Sequence, residues 1–190
     1  MWRKMPRSRT REEELIERIR NNEQRAMSEL YYMYANALTS VCYRYLLQEE
    51  DVKDVLQESF VSIFTTIGKF RPQHEQSLKS WMVRIVINRS IRFLRERNRL
   101  KFVEQDDILL NNTTDEEPDA SEITDDELYE LICELPDGYR TVLNLYVFEG
   151  CTHRQIAEML NINERTSSSQ LYHAKRLLSK RITEFIKKKQ

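Results

Sequence analysis

Two sets of side chains in this 190-residue chain are chemically suited to holding a polyanion. Near the C-terminus Arg154, Arg165, Lys175 and Arg176 supply cations spaced for phosphate oxygens. Among them stand Thr166, Ser168, Ser169 and His173, whose short polar groups can donate to or accept from base edges. Earlier, the stretch from Arg84 to Lys101 carries seven basic residues against one acid, Glu96. A solvated helix gains side-chain pairs by alternating signs, so this run is better matched to a row of phosphates. Covalent chemistry finds no comparable support. His74, His153 and His173 lack zinc-like spacing, no glycine-rich phosphate loop is present, and no nucleophile stands beside a base. Asp51 and Asp54 could hold Mg²⁺, but two acids three apart on a helix are usually surface charge. The expectation is a protein with no catalytic residues, no metal and no cofactor.

The C-terminal set sits on a recognisable frame. Thr152-His153-Arg154-Gln155 opens a helix in which the Thr cap and the Gln three residues later can satisfy each other's orphan amides. Ile156, Ala157 and Leu160 form its apolar face. Asn161-Ile162-Asn163 makes a three-residue turn, and Asn163 can cap a second helix. The apolar positions of that helix are Thr166 (through its methyl), Leu171, Ala174, Leu177 and Leu178. Ser168, Gln170, His173, Lys175 and Arg176 mark its other face. This is a helix-turn-helix, which presents its second helix to the major groove of duplex DNA. Upstream, Leu128, Leu131 and Ile132 mark one helix. Val142, Leu143, Leu145, Tyr146 and Phe148 mark another, closed by Gly150, so the motif completes a four-helix unit.

The N-terminal part is also helical. Glu12–Arg20 is short and amphipathic. A longer helix from about Asn22 carries Ala26, Leu30, Tyr34, Ala37, Leu38, Val41 and Tyr45 at three-four spacing. A third begins near Asp51, with Val52, Val55, Leu56, Ser59, Ile63 and Ile67 as its stripe and Gly68 as its stop. After a polar loop, Ser77 caps a fourth running from Leu78 to about Asn98. Trp81 falls at core spacing with Ile85, so it is expected to pack inside. Few glycines and prolines and no alternating run argue against strands.

Charge divides the chain further. Residues 1–101 hold 20 basic and 13 acidic side chains, residues 102–139 hold 14 acidic and no basic ones, and residues 140–190 hold 10 basic and 4 acidic. The fold class expected is all-α, two small helical domains on a flexible acidic linker. The segments are 1–21 as an N-terminal extension, 22–99 as the first domain, 100–122 as the linker and 123–190 as the second. The linker cannot bury enough apolar surface to offset the cost of ordering it. The basic N-terminus precedes no apolar stretch, and the three cysteines are far apart. Neither a secretory signal nor membrane insertion is expected, and a reducing cytoplasm fits.

Together the two domains resemble an extracytoplasmic-function (ECF) sigma factor of bacterial RNA polymerase, the compact kind with sigma regions 2 and 4. In the first domain the likeness rests on Leu30-Tyr31-x-x-Tyr34, Tyr45-Leu46, Asp51–Phe60, Phe70-Arg71, Ser80–Ile85, Asn88 and Leu94-Arg95. In the second it rests on Leu135-Pro136-x-x-Tyr139–Leu143, Glu149-Gly150, Gln155–Leu160 and Glu164-x-Thr166-x-x-Ser169-Gln170-Leu171. The resemblance implies promoter-specific initiation with core RNA polymerase, promoter DNA and an anti-sigma factor as partners. It implies that Asp51, Asp54, Leu56, Gln57, Glu58 and Phe60 dock on the largest-subunit coiled coil, and that the polymerase flap is a second contact. It assigns Arg71, Arg84, Asn88, Arg92 and Arg95 to the −10 region, where single-stranded DNA with a flipped base is held. It assigns Arg154, Arg165, Thr166, Ser168, Ser169, His173, Lys175 and Arg176 to the −35 region.

Three features depart from the family pattern. Arg165 stands where Gly is frequent, Arg92 where an acid is frequent, and Ser167-Ser168-Ser169 where relatives often place a cation. They leave the promoter sequence open. A 23-residue linker spans roughly 25–30 Å when relaxed and about 80 Å when drawn out, against about 50 Å between the two DNA elements. Its 14-acid neighbourhood repels DNA, so a basic polymerase channel is its expected bed. Two rivals remain on sequence alone. An operator-binding dimer explains residues 152–181 but not the Asp51–Phe60 and Arg84–Lys101 helices. An adaptor binding only protein leaves both cationic sets unexplained.

Overall fold

A computed structural model describes residues 11–71, 77–97, 99–102 and 123–189. Every regular element among them is helical: α1 (Arg11–Arg20), α2 (Gln24–Tyr43), α3 (Glu49–Thr66), a 3-10 turn (Ile67–Lys69), α4 (Ser77–Glu96), α5 (Asp125–Cys133), α6 (Asp137–Val147), α7 (His153–Leu160) and α8 (Glu164–Lys189). They divide into two compact units, residues 1–90 and 91–190.

In the first unit α1 and α3 pack on α2. α1 places Glu12, Glu13 and Glu14 at its start and Arg18 and Arg20 at its end, which complements the helix dipole. Its apolar side, Leu15, Ile16 and Ile19, is buried with Ala26, Leu30, Tyr34 and Leu38 of α2. Glu49, Glu50 and Asp51 start α3 in the same electrostatic sense, and Val52, Val55, Ser59 and Ile63 form its inner stripe. Side chains tie the ends together. Arg18 pairs with Glu23 at 2.7 Å and Glu29 at 2.8 Å, and Arg20 donates to the Phe70 carbonyl at 2.5 Å. From α4, Leu78, Met82, Val86 and Ile87 are buried. Cys42 lies against Ser90 at 3.7 Å, and burial pushes its thiol up to about 11.

The second unit is centred on α8, against which α5, α6 and α7 pack. Capping boxes open α5 (Thr124 with Glu127) and α7 (Thr152 with Gln155). Gly150, at φ 64°, takes the left-handed conformation that ends α6 and lets the chain turn into α7. Arg140 is buried at 2 % exposure and caps the end of α5, donating to the carbonyls of Cys133 at 3.1 Å and Leu135 at 2.7 Å and pairing with Asp137. Asp137 also accepts from Arg99 Nε at 2.8 Å. A Cβ on Gly138 would lie 2.7 Å from the Lys101 carbonyl, so glycine is what lets residues 99–102 run against α6.

Sequence expectation and structure differ at two ends. α4 stops at Glu96, so Arg99 lies beyond the helix, held by Asp137. α8 runs 26 residues, past the expected motif. No glycine or proline interrupts it, Ile182 is buried, and Arg181–Glu134 (3.1 Å) and Lys189–Glu127 (2.8 Å) hold its far end on α5. Residues 103–122 of the expected linker, and with them its polymerase-channel path, fall outside the described ones, as do His74 and most of the loop before α4.

Tyr34 offers a test of the α1–α2 packing. Its hydroxyl donates to Glu12 at 2.9 Å, and burial together with that bond pushes its pKa from 10 up to about 12. The folded state therefore holds this proton more tightly than the unfolded chain. Its contribution is complete below pH 10 and is lost as pH rises toward 12. Urea unfolding should show Tyr34→Phe less stable than wild type by about 1 kcal/mol at neutral pH, with the gap closing over that alkaline window. A gap that stays constant from pH 8 to 12 would refute the assignment.

Candidate nucleic-acid interface

The helix-turn-helix is built from local hydrogen bonds outward. Thr152 Oγ1 accepts from the Gln155 amide at 3.3 Å, and the Gln155 side-chain oxygen accepts from the Thr152 amide at 2.8 Å. Ile156, Ala157 and Leu160 then bury the inner face of α7. Asn161, at φ 54°, ends the helix in the left-handed region that Asn tolerates, and Ile162 lies half-buried in the angle. Asn163 caps α8: its Oδ1 accepts from the Thr166 amide at 2.6 Å and from the Thr166 hydroxyl at 2.9 Å.

α8 carries two faces from its first turn. Thr166, Ser167, Gln170, Leu171 and Ala174 are buried. Arg165, Ser168, Tyr172 and Lys175 are exposed, with Ser169, His173 and Arg176 half-buried beside them. Ser168, Tyr172 and Arg176 recur every four residues and form one continuous line. Arg176 lies over the Tyr172 ring, its carbon 5.6 Å from the centroid, and donates to the Tyr172 hydroxyl at 3.3 Å. His173 stacks on Tyr139 of α6 at 6.1 Å, and Arg154 lies exposed at the start of α7 beside Glu158, 3.5 Å away.

One side chain lies elsewhere than the sequence suggested, one lies on the expected inner side and one had no assignment. Gln170, expected on the polar face, has no exposed surface, because its spacing from Thr166 and Ala174 places it on the inner stripe. Thr166 is 7 % exposed, as its place among the apolar positions implied, and its hydroxyl donates to Asn163. Tyr172, 55 % exposed on the outer line, was missed. Its four-residue offset from Ser168 was the signal; its aromatic character hid it.

Helix α4 lines up Arg84, Asn88, Arg92 and Arg95 on one exposed face at four-, four- and three-residue steps, the first two in the first unit and the last two in the second. Arg92 pairs with Glu96 at 2.7 Å, and Arg95, in the part of α4 assigned to the second unit, donates to the Met159 carbonyl at 2.6 Å. Arg89 pairs with Glu58 of α3 at 3.1 Å. Arg71 is exposed and turns back on the carbonyls of Gly68 (3.1 Å) and Phe70 (3.0 Å). Trp81 is half-buried, its ring 4.9 Å from that of Phe70, so packing is one of its functions.

A groove of about 570 Å³ runs between α2 and α3. Tyr31, Ala35, Thr39 and Tyr43 line one wall at four-residue steps, and Val52, Leu56, Gln57, Phe60 and Phe64 line the other. Of the residues expected to meet polymerase, Asp54, Gln57 and Glu58 are exposed and Leu56 half-exposed. Asp51 (6 %) and Phe60 (7 %) are mostly covered, Phe60 by the Tyr31 ring at 4.7 Å. Among the described residues no cluster of His, Cys, Asp or Glu could hold a metal ion, and no helix is long and apolar enough to cross a membrane.

Comparison with known proteins agrees with both units. The family model Sigma-70 region 2 matches residues 30–100, and Sigma-70, region 4 matches residues 125–178. The RNA polymerase sigma-H factor of Pseudomonas aeruginosa is 25% identical over 180 residues, covering 89% of this chain and 92% of the relative. The ECF RNA polymerase sigma-E factor of Haemophilus influenzae is 26% identical over 181 residues, covering 88% and 93%. Among solved structures, the sigma factor RpoE of Bartonella quintana, seen with the anti-sigma factor NepR, superposes with a TM-score of 0.50 at 15% identity, covering 83% of this chain and 96% of that one. The chain belongs to the ECF family of RNA polymerase sigma factors and carries regions 2 and 4. It directs core RNA polymerase to initiate transcription at specific promoters, as an initiation subunit.

The α8 cap gives a direct check on this geometry. Asn163→Ala removes the acceptor for the Thr166 amide and hydroxyl. It should destabilise the second unit by about 1 kcal/mol and lower its melting temperature by about 4–8 °C. Unchanged melting, followed by calorimetry, would mean that the cap does not form in solution.

Proposed function

We propose that the outer line of α8 reads the −35 element while the exposed face of α4 holds the −10 region. In this reading Ser168, Ser169, Tyr172 and His173 face the groove. Arg154, Arg165, Lys175 and Arg176 hold phosphates on either side. Thr166 acts from inside, by starting the helix at the right residue. The observation that carries the reading is the separation of faces on α8: its inner stripe is buried, and its outer one combines hydroxyls, an aromatic ring and cations. Arg71, Arg84, Asn88, Arg92 and Arg95 form the −10 surface, where a cationic groove offsets the cost of unpairing by retaining the separated strand.

The α3 side of the first unit is the polymerase face. Asp54, Gln57 and Glu58 offer polar contacts to the largest-subunit coiled coil. Leu56 and Phe60 offer apolar ones beside the groove, and Asp51 supports the start of the helix. The second unit meets the polymerase flap, and the acidic linker crosses a basic channel. The two proposed domains are residues 22–99 and 123–190. The protein acts in the cytoplasm, makes no bond itself, and contributes promoter address and strand opening. An anti-sigma factor is a further partner, a proposal supported by the complex in which the Bartonella relative is found.

Run-off transcription from genomic fragments tests the assignment. Core polymerase should yield discrete transcripts only when this chain is added, and no new start site would end the reading. On the promoter so found, Arg176→Ala and Lys175→Ala should each weaken binding and flatten the salt dependence by about one unit of slope. Arg95→Ala should do the same through the −10 region. Slopes identical to wild type in all three variants would show that the phosphates are held elsewhere.

A further inference from the structure

Ser167 lies in the first turn of α8 on its inner side and has no exposed surface. Its hydroxyl is 3.0 Å from Nδ1 of His153, the first residue of α7. The imidazole stacks in turn on Tyr146 of α6, with centroids 4.9 Å apart and planes 23° from parallel. Lys175, two turns further along α8, places its ammonium 6.0 Å from the centre of the same Tyr146 ring. One imidazole thus joins α6, α7 and α8.

Apolar packing between α7 and α8 opposes separation but only weakly opposes rotation, because burial has no preferred direction. A hydrogen bond does have one, and this bond acts on the residue immediately before Ser168. A buried hydroxyl deprived of its partner is costly, so Ser167 is held to the one rotation of α8 that brings it to His153. Reading base edges demands that kind of control, since side chains must be placed within about 10–20° of the productive geometry. The stack on Tyr146 supplies the second fixed point, so the imidazole cannot follow the helix if it turns.

We propose that His153 is a positioning residue for promoter recognition: through Ser167 it sets the rotation of α8, and so the presentation of Ser168, Ser169 and Tyr172. This rests on the reading of α8 as the −35 helix. His153 acts on α8 rather than on the base edges. Its loss therefore lowers discrimination between promoters without lowering general affinity for DNA.

The experiment uses holoenzyme reconstituted with full-length variants and the promoter recovered by run-off transcription. Open-complex yield is compared on that promoter and on a version with a scrambled −35 element. Affinity for a random duplex is measured alongside. His153→Phe keeps a ring on Tyr146 but removes the partner of Ser167, and should lower the discrimination ratio about tenfold. Ser167→Ala should lower it in the same direction, and the double variant should be no worse than the poorer single one. His153→Asn, whose amide can occupy the place of Nδ1, should return the ratio to within about threefold of wild type. Random-duplex affinity should stay unchanged in all four. Should His153→Phe fold poorly, Ser167→Ala and His153→Asn carry the test.

Wild-type discrimination in His153→Phe or Ser167→Ala would overturn the proposal. So would losses that multiply in the double variant, an Asn variant no better than Phe, or an equal fall in random-duplex affinity. If wild-type holoenzyme itself ignored the scrambled element, the −35 reading of α8 would fail and the positioning role would fall with it. Discrimination in wild type with none lost in the variants removes the positioning role alone.

Discussion

Burial of the inner face of α8 is the constraint on which the second unit depends. Helices α5, α6 and α7 are each no longer than 11 residues, too short to be stable alone in water. They persist because each lays its apolar side on a 26-residue helix. Once Leu171, Ala174 and Ile182 face inward, helical periodicity leaves Arg165, Ser168, Tyr172 and Arg176 facing out. The surface proposed to meet DNA is thus the complement of the core.

Polar groups inside this unit specify its geometry. Arg140 is nearly fully buried, yet it satisfies the carbonyls at the end of α5 and an acid at the start of α6. Removing one partner from such a set leaves a buried charge uncompensated, which makes the arrangement hard to replace piecemeal. His153 with Ser167 and Asn163 with Thr166 work similarly at the junction of α7 and α8. Apolar contact holds the helices together, and directed bonds decide their angle.

Electrostatics along α4 is less one-sided than its composition. Its run of cations is partly answered from within: Arg92 by Glu96 and Arg89 by Glu58. Exposed pairs of this kind contribute about 0–1 kcal/mol, so phosphates can displace them readily. Arg84 and Asn88 continue the same exposed face. On α3, Asp51 and Phe60 are mostly covered while Asp54 and Gln57 remain outside. Helix start and core packing account for the first two, leaving the second two available to a partner.

Much of this protein was legible in the chain. Three-four spacing in α2 and α3, the cap-and-Gln signature of α7, the Asn-Ile-Asn turn and the order of both motif sets identified two helical units and their family. These are local signals, carried by residues within a few positions of one another. Tertiary structure decided which side of α8 faces inward. Gln170 reads as surface for its polar side chain, but it is buried, as is Ser167. The sequence assigns Tyr172 to neither face, yet it is exposed. Side-chain polarity states a preference, whereas burial depends on which neighbours the fold brings up. That neighbour set joins residues as far apart as Glu134 and Arg181, a relation no local pattern encodes.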